Sequence, residues 1–348
     1  MRVPMATAAD VDRFYAAARP FWHPVARTAD VGAGAPLATE LLGEDLVLWR
    51  TEGGGPAAAD NVCPHRGTRL SMGTVTDHGG LRCPYHLWEF EPSGACTRIP
   101  QVPNRPIPDT VRVATYPTVD YAGLIWVCLD RDAADRVAPP RVPRAGDDGW
   151  WLYAGEPPTW SCQAPRMVEN FLDLAHFGAI HAGNFGNPDV EEVAPYRPVT
   201  NRDERAITFE IDYLARYRWA PDEDGEPAVR QIHYRYRCDL PFAAWIETNV
   251  ADTPPYYTFA VAQPVSVEVT RIFWVTTFPD SVRHTPDELD EGFLPFFAED
   301  QVIVEQQRPE WLPLDVADEL HLPFDKISVA YRRALADLGF PVIRLPRT

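Results

Sequence analysis

Two short loops constrain this chain more than any other feature. Cys63-Pro64-His65-Arg66-Gly67 and Cys83-Pro84-Tyr85-His86 each set one thiol beside one imidazole. One thiol per loop is a poor start for a disulfide, but thiolate and imidazole together suit a transition metal. A [2Fe–2S] centre with two thiolates on one iron and two imidazoles on the other satisfies all four side chains. Neutral imidazoles raise the reduction potential of such a centre above that of an all-thiolate cluster. A single structural zinc in a Cys2His2 site competes, although such sites usually pair Cys with Cys and His with His along the chain. Pro64 and Pro84 stiffen the loops, and Gly67 permits a tight turn. Cys96, Cys128, Cys162 and Cys238 are scattered and read as small buried hydrophobes.

A second constellation lies downstream. Residues 164–181 carry apolar side chains at helical spacing (Met167, Phe171, Leu174, Phe177), with Pro165 near the start. Within this run Asp173 and His176 stand at i and i+3, on one helix face. His176 and His181 lie about 140° apart on an ideal helix, so shared ligation of one metal requires a bend or an end between them, which Gly178 allows. Two histidines and a carboxylate on one face of an iron leave positions open for O2 and substrate. The third ligand must come from elsewhere, and the helix predicted over 293–308 offers Glu299, Asp300 and Glu305. Standing alone, the two histidines would read as satisfied core residues and Asp173 as a solvated acid. Asn170 reads equally as a pocket residue or a surface amide.

A length of 348 residues at roughly 150 per domain predicts two domains. Residues 41–130 read as short strands punctuated by turns, and the Pro/Gly-rich stretch 138–150 as a linker. The expected division is therefore 1–150, an all-β domain, and 151–348, an α+β domain. The second domain has half-buried strands at 207–219, 231–240, 256–265 and 271–278 and helices before and after them, the last over 325–339. The 36 prolines fit a strand-and-turn architecture. A net charge of −18 argues against nucleic acid as a partner. No apolar run approaches the roughly 18 residues of a membrane span, and no leader pattern opens the chain, so the expected compartment is the cytoplasm. Around the paired loops, basic side chains (Arg66, Arg69, Arg82, Arg98, Arg105) balance acidic ones (Asp60, Asp77, Glu89, Glu91, Asp109), so an acidic electron donor could dock there. His23, His78, His233, His284 and His321 lack ligand-type neighbours. The strand aromatics Tyr234, Tyr236, Trp245, Tyr256, Tyr257, Phe273 and Trp274 are expected in the core, with a few walling a pocket.

The sequence resembles the Rieske non-haem iron oxygenases. The likeness rests on Cys63–Gly67, Cys83–Phe90, the following Gly94–Pro100, the opening Phe21–Ala26 and the strand Gly123–Val127. It departs at Leu87, where the family has glycine; Trp88 is retained. The motif Asp173-x-x-His176-x-x-x-x-His181, followed far downstream by Glu299-Asp300, is also similar to the family's. The resemblance implies an N-terminal Rieske [2Fe–2S] domain held by Cys63, His65, Cys83 and His86. It also implies a helix-grip catalytic domain with mononuclear Fe(II) on His176, His181 and Asp300, Glu299 being the alternative third ligand. Asp173 would bridge His176 to His86 of a neighbouring subunit. The length resembles the vanillate and dicamba demethylase-like branch, which implies a homotrimer, an external ferredoxin or flavin reductase, and hydroxylation or oxidative demethylation of a small organic substrate. A Rieske electron carrier with a non-catalytic second domain is the alternative.

Overall fold

The computed structural model describes residues 6–217 and 227–343. Arg19–Pro139 folds as one unit, and the segment before it joins the chain from Pro140 onward in a second. The linker composition points to a division at 150, whereas the contacts place it at 139/140 and give the first helix, α1 (Ala8–Ala18), to the second unit. Aromatic packing explains that assignment. Phe14 is buried, with ring centroids 5.3 Å from Phe340, 5.8 Å from Trp311 and 6.0 Å from Phe242.

The Arg19–Pro139 unit is built from β1 (Trp22–Arg27), β2 (Leu37–Leu41), β3 (Glu44–Arg50), β4 (Pro56–Asp60), β5 (Thr74–Val75), β6 (Leu81–Arg82), β7 (Glu89–Phe90), β8 (Cys96–Arg98), β9 (Thr115–Tyr116), β10 (Thr118–Tyr121) and β11 (Leu124–Cys128), followed by the short α2 (Arg131–Ala134). They form three antiparallel sheets, ordered β1-β11-β10, β2-β3-β4-β9 and β5-β6-β7-β8. One loop leaves β4 and carries Cys63 and His65; the other joins β6 to β7 and carries Cys83 and His86. Trp49, Leu70, Leu81, Phe90 and Val113 pack with both thiols into one buried cluster beneath the loops. Each such large side chain contributes about 1.5–3 kcal/mol by leaving water, so the loops stand on a rigid floor.

The second unit is α+β, as the sequence predicts. Its strands are β12 (Trp150–Ala154), β13 (Thr159–Trp160), β14 (Val199–Asn201), β15 (Ala206–Tyr217), β16 (Ala228–Asp239), β17 (Ala243–Val250), β18 (Tyr256–Pro264) and β19 (Thr270–Pro279). They form an antiparallel sheet ordered β12-β19-β18-β17-β16-β15-β14, with β13 also pairing β19. Its helices are α3 (Ala164–Leu172), α4 (Phe177–Ile180), α5 (Pro286–Val304) and α6 (Lys326–Asp337). Strand alternation puts Ile232, Tyr234 and Tyr236 of β16 on the inner face, opposite Tyr213, Ile211 and Phe209 of β15. Tyr234 and Tyr236 then face Thr248 and Ile246 of β17.

Three of the differences from the sequence expectation bear on the site. The single helix predicted over 164–181 is two helices with an extended residue between them, Asp173 having φ −81° and ψ 140°. β17 escapes prediction because Ala243 and Ala244 carry little strand preference. α5 starts at Pro286 rather than 293, and its Thr285/Glu288 capping box marks that start in the sequence. Trp219, the expected end of the strand at 207–219, lies outside the described residues.

Candidate active site

The two Cys/His loops repeat one backbone design. The N–H of Gly67 donates to the Cys63 carbonyl at 2.9 Å, and that of Leu87 donates to the Cys83 carbonyl at 3.1 Å. The N–H groups of Cys63 and Cys83 donate in turn to the carbonyls of Thr68 and Trp88, at 2.9 and 2.8 Å. Both turns close on a left-handed residue, with φ +73° at Gly67 and +59° at Leu87. Glycine takes this conformation freely, whereas a side chain there costs about 1–2 kcal/mol. That is the physical content of Leu87's departure from the family pattern.

His65 and His86 lie side by side, with ring centroids 4.5 Å apart, and Trp88 stacks on His65 at 4.3 Å and 7°. Gln101 braces the second loop by donating to the His86 carbonyl at 2.9 Å and accepting from the Trp88 indole at 3.2 Å. The sulfurs of Cys63 and Cys83 are buried, while the imidazoles stand nearer the surface. Burial pushes the Cys63 thiol up to about 11, with Cys83 adding to the rise, while backbone N–H groups of His65 and Arg66 pull the other way. Nδ1 of His65 is buried with no hydrogen-bond partner. Two buried thiols, that of Cys63 receiving backbone N–H bonds, beside two imidazoles with an orphaned nitrogen on His65, fit a [2Fe–2S] cluster. Among the described residues the four ligand atoms do not form a set converging within 4.8 Å, as one zinc ion would need.

One set does converge so closely: His176, His181 and Asp300. The break after α3 makes this possible. Asp173 Oδ2 accepts from the His176 N–H at 3.2 Å and contacts His176 Nδ1 at 2.8 Å, while Oδ1 accepts from the Ala175 N–H. This turn replaces the shared helix face that the i, i+3 spacing suggested. His176 and His181 then flank the two ends of α4, and their rings lie 5.1 Å apart. Gly178 sits inside that turn, where an added Cβ would come within 3.0 Å of the Asn187 and Val190 carbonyls.

α5 supplies the carboxylates and separates their roles. Asp300 Oδ1 lies 3.4 Å from His176 Nε2 and 3.2 Å from His181 Nε2. Glu299 instead reaches the opposite side of His181, with Oε2 2.7 Å from Nδ1. Glu305 accepts from the Ser161 N–H at 2.7 Å, away from both histidines. Asn170, in the last turn of α3, donates to Asp300 at 3.4 Å and lines the same cavity.

Burial opposes a charge on His176, but the carboxylates of Asp173 and Asp300 outweigh it and carry its pKa up to about 9. Burial alone would raise the Asp300 carboxyl; the two histidines override it and bring it down to about 2. Nε2 of His176 is buried and without a hydrogen bond. Two imidazole nitrogens turned to one mostly buried carboxylate fit a divalent iron.

A cavity of about 130 Å3 opens beside these side chains. Its walls are Phe171, Phe177 and Phe185, the α5 rings Phe293, Phe296 and Phe297, and sheet residues including Tyr234, Tyr236, Tyr256, Thr248 and Thr258. Of the aromatics expected from sequence, Trp245, Tyr257, Phe273 and Trp274 lie elsewhere. The sequence reading missed the α5 rings, Phe185 and Arg216, the last being, among the described residues, the one basic lining residue besides the histidines. The α5 signal was present: 293, 296, 297 and 300 follow the i, i+3, i+4, i+7 rhythm of one helix face. Outside both sites, His23 is buried, His233 pairs with Asp212 at 2.9 Å, and Cys96, Cys128, Cys162 and Cys238 are free and buried. Among the described residues no helix is long and apolar enough to cross a membrane.

Comparison with known proteins agrees with both halves of this architecture. Residues 21–117 match the Rieske [2Fe-2S] domain family, and residues 160–339 match the vanillate O-demethylase oxygenase C-terminal domain family. The chain belongs to the Rieske non-haem iron oxygenases, enzymes that carry a [2Fe–2S] cluster and a mononuclear iron and act with O2 on small organic substrates. Within them it is an oxygenase (alpha) component of the vanillate/dicamba-like branch. It is 32% identical to methylxanthine N1-demethylase NdmA of Pseudomonas putida, over 92% of this chain and 89% of that one. It is 28% identical to methylxanthine N3-demethylase NdmB of the same organism, over 93% and 90%. The solved structure of NdmA with caffeine superposes with a TM-score of 0.81 at 30% identity, covering 97% of this chain and 99% of that one. Dicamba monooxygenase bound to dicamba shares the fold, with a TM-score of 0.74 at 23% identity over 92% and 97%.

Proposed function

We propose that this chain oxidatively demethylates a compact aromatic or heteroaromatic substrate, with iron held by His176, His181 and Asp300 and the cluster held by Cys63, His65, Cys83 and His86. One observation carries the reading: the three convergent side chains open onto a cavity walled by six phenylalanine rings. The demethylase match over 160–339 and the methylxanthine relatives favour loss of a methyl group over ring dihydroxylation. The cluster supplies single electrons, and the iron supplies the place where O2 and a substrate C–H bond meet.

The chain's own groups do the rest. The phenylalanines exclude water and clamp a planar ring. The hydroxyls of Tyr234, Tyr236, Thr248 and Thr258 and the guanidinium of Arg216 are among the polar groups that can orient the substrate. Asp173 holds the ring of His176 and, in a head-to-tail homotrimer, faces His86 of a neighbouring copy. An external ferredoxin or flavin reductase delivers electrons. The cytoplasm suits six free cysteines.

The test is turnover of iron-loaded protein with a reducing ferredoxin system and a panel of N-methyl heteroarenes and aryl methyl ethers. Formaldehyde should form in step with the demethylated ring, and light scattering should report a trimer. A cis-diol product would replace demethylation with ring dioxygenation. O2 uptake with no product from any one- or two-ring compound would refute the substrate class.

A further inference from the structure

Each iron-site histidine has its own carboxylate, and only one of the two pairs is implied by the family motif. On α5, Glu299 and Asp300 are neighbours about 100° apart, so they cannot face the same point. Asp300 faces both Nε2 atoms, while Glu299 lies behind His181 with Oε2 2.7 Å from Nδ1. The second oxygen of Glu299 accepts from the Asn184 side-chain amide at 2.5 Å, and the Asn184 N–H donates to the His181 carbonyl at 2.8 Å. His181, Glu299 and Asn184 thus close a ring of hydrogen bonds outside the cavity. Neither Glu299 nor Asn184 is among the cavity's lining residues.

We infer that Glu299 is a positioning residue for the iron, fixing the proton of His181 on Nδ1 so that Nε2 is the metal donor. A carboxylate behind an imidazole sets its tautomer and strengthens it as a ligand. The Asp173–His176 contact does the same for the other ring, but Asp173 also turns the backbone between α3 and α4. Among the described residues Glu299 accepts no such backbone N–H; its side chain is 30% exposed and bonds to the side chains of His181 and Asn184. Changing Glu299 therefore isolates the electronic effect on a ligand from folding and from any relay through Asp173.

This inference rests on the reading that the triad holds iron. The experiment compares ferrous-iron affinity, by chelator competition on full-length cluster-loaded protein, for wild type, Glu299→Gln and Glu299→Ala. Gln keeps an acceptor for Nδ1–H and loses the charge, so affinity should fall in the order Glu, Gln, Ala, with a total loss of about 10–100-fold. The EPR signal of nitric-oxide-treated ferrous protein should shift in both variants, while cluster absorbance stays unchanged. If either variant is unstable, Asn184→Ala takes its place and should weaken iron binding by a smaller factor. Affinities within about twofold of wild type, with an unshifted signal, overturn the role of Glu299 and leave the triad standing. Wild-type protein that binds no iron outside the cluster overturns the triad itself and this inference with it.

Discussion

Replacing Arg332 by Ala should destabilise the second unit by about 3–5 kcal/mol, the usual cost of leaving one partner of a buried ion pair alone. Arg332 is 3% exposed on α6 and ties three segments together. Its Nε and Nη2 donate to the two carboxylate oxygens of Glu169 on α3 at 2.6 and 2.8 Å, and Nη2 lies 2.7 Å from Glu319. Nη1 donates to the Pro313 carbonyl at 3.2 Å. Burial works against the charge, but Glu169 and Glu319 hold the guanidinium pKa above its ordinary value. Without Arg332, Glu169 keeps only Arg166, at 4.0 Å. In a domain of this size each kcal/mol moves the midpoint by about 2–4 °C, so the loss should lower Tm by about 6–20 °C. Thermal unfolding followed by far-UV circular dichroism should record the shift. Arg332→Lys, which keeps charge but not the two-pronged geometry, should fall between wild type and Ala. A loss below about 1 kcal/mol for the Ala variant would show that Glu169 and Glu319 find other partners, and the reasoning would fail.

His176→Ala should abolish turnover and the stabilisation that added ferrous iron gives wild type, about 2.7 kcal/mol at a hundredfold excess over Kd. Its cluster spectrum should be unchanged, and loss of that spectrum would contradict the separation of the two sites. Asp173→Asn should retain both metals and slow turnover sharply under steady electron supply; unchanged turnover removes its bridging role. Leu87→Gly trades a left-handed side chain costing about 1–2 kcal/mol for glycine's greater unfolded-state freedom of roughly 0.5–1 kcal/mol. It should leave the cluster unit equally stable or slightly more so by thermal melting, and a loss above about 1 kcal/mol would mean that the Leu87 side chain packs more than its half-exposed position suggests.

What was legible in the sequence was local chemistry. The Cys/His loops show their composition within a few residues, and the strand alternation of 231–240 survives intact as β16. The spacing of His176 and His181 demanded a bend or an end between them, and α4 does end at Ile180 with His181 as its cap; the earlier break at Asp173, where the carboxylate turns back on its own backbone, is encoded by no periodicity. That Asp300 rather than Glu299 turns to the cavity was readable in part, since Asp300 shares a face with Phe293, Phe296 and Phe297. The role of Glu299 was not, because its partner Asn184 sits in an irregular loop far away in sequence. Likewise α1 carries no mark that its partners are Phe242 and Phe340, more than two hundred residues further on.

That distant docking of α1 bears on synthesis at the ribosome. The four cluster side chains emerge close together, on a continuous segment that can collapse as soon as Pro139 clears the exit tunnel. The mononuclear centre lacks its carboxylate until α5 is made, and Phe14 waits still longer for Phe340. The proposed cluster ligands are therefore all present while the remainder is nascent, whereas the proposed set for the lone ion is complete only once α5 is made.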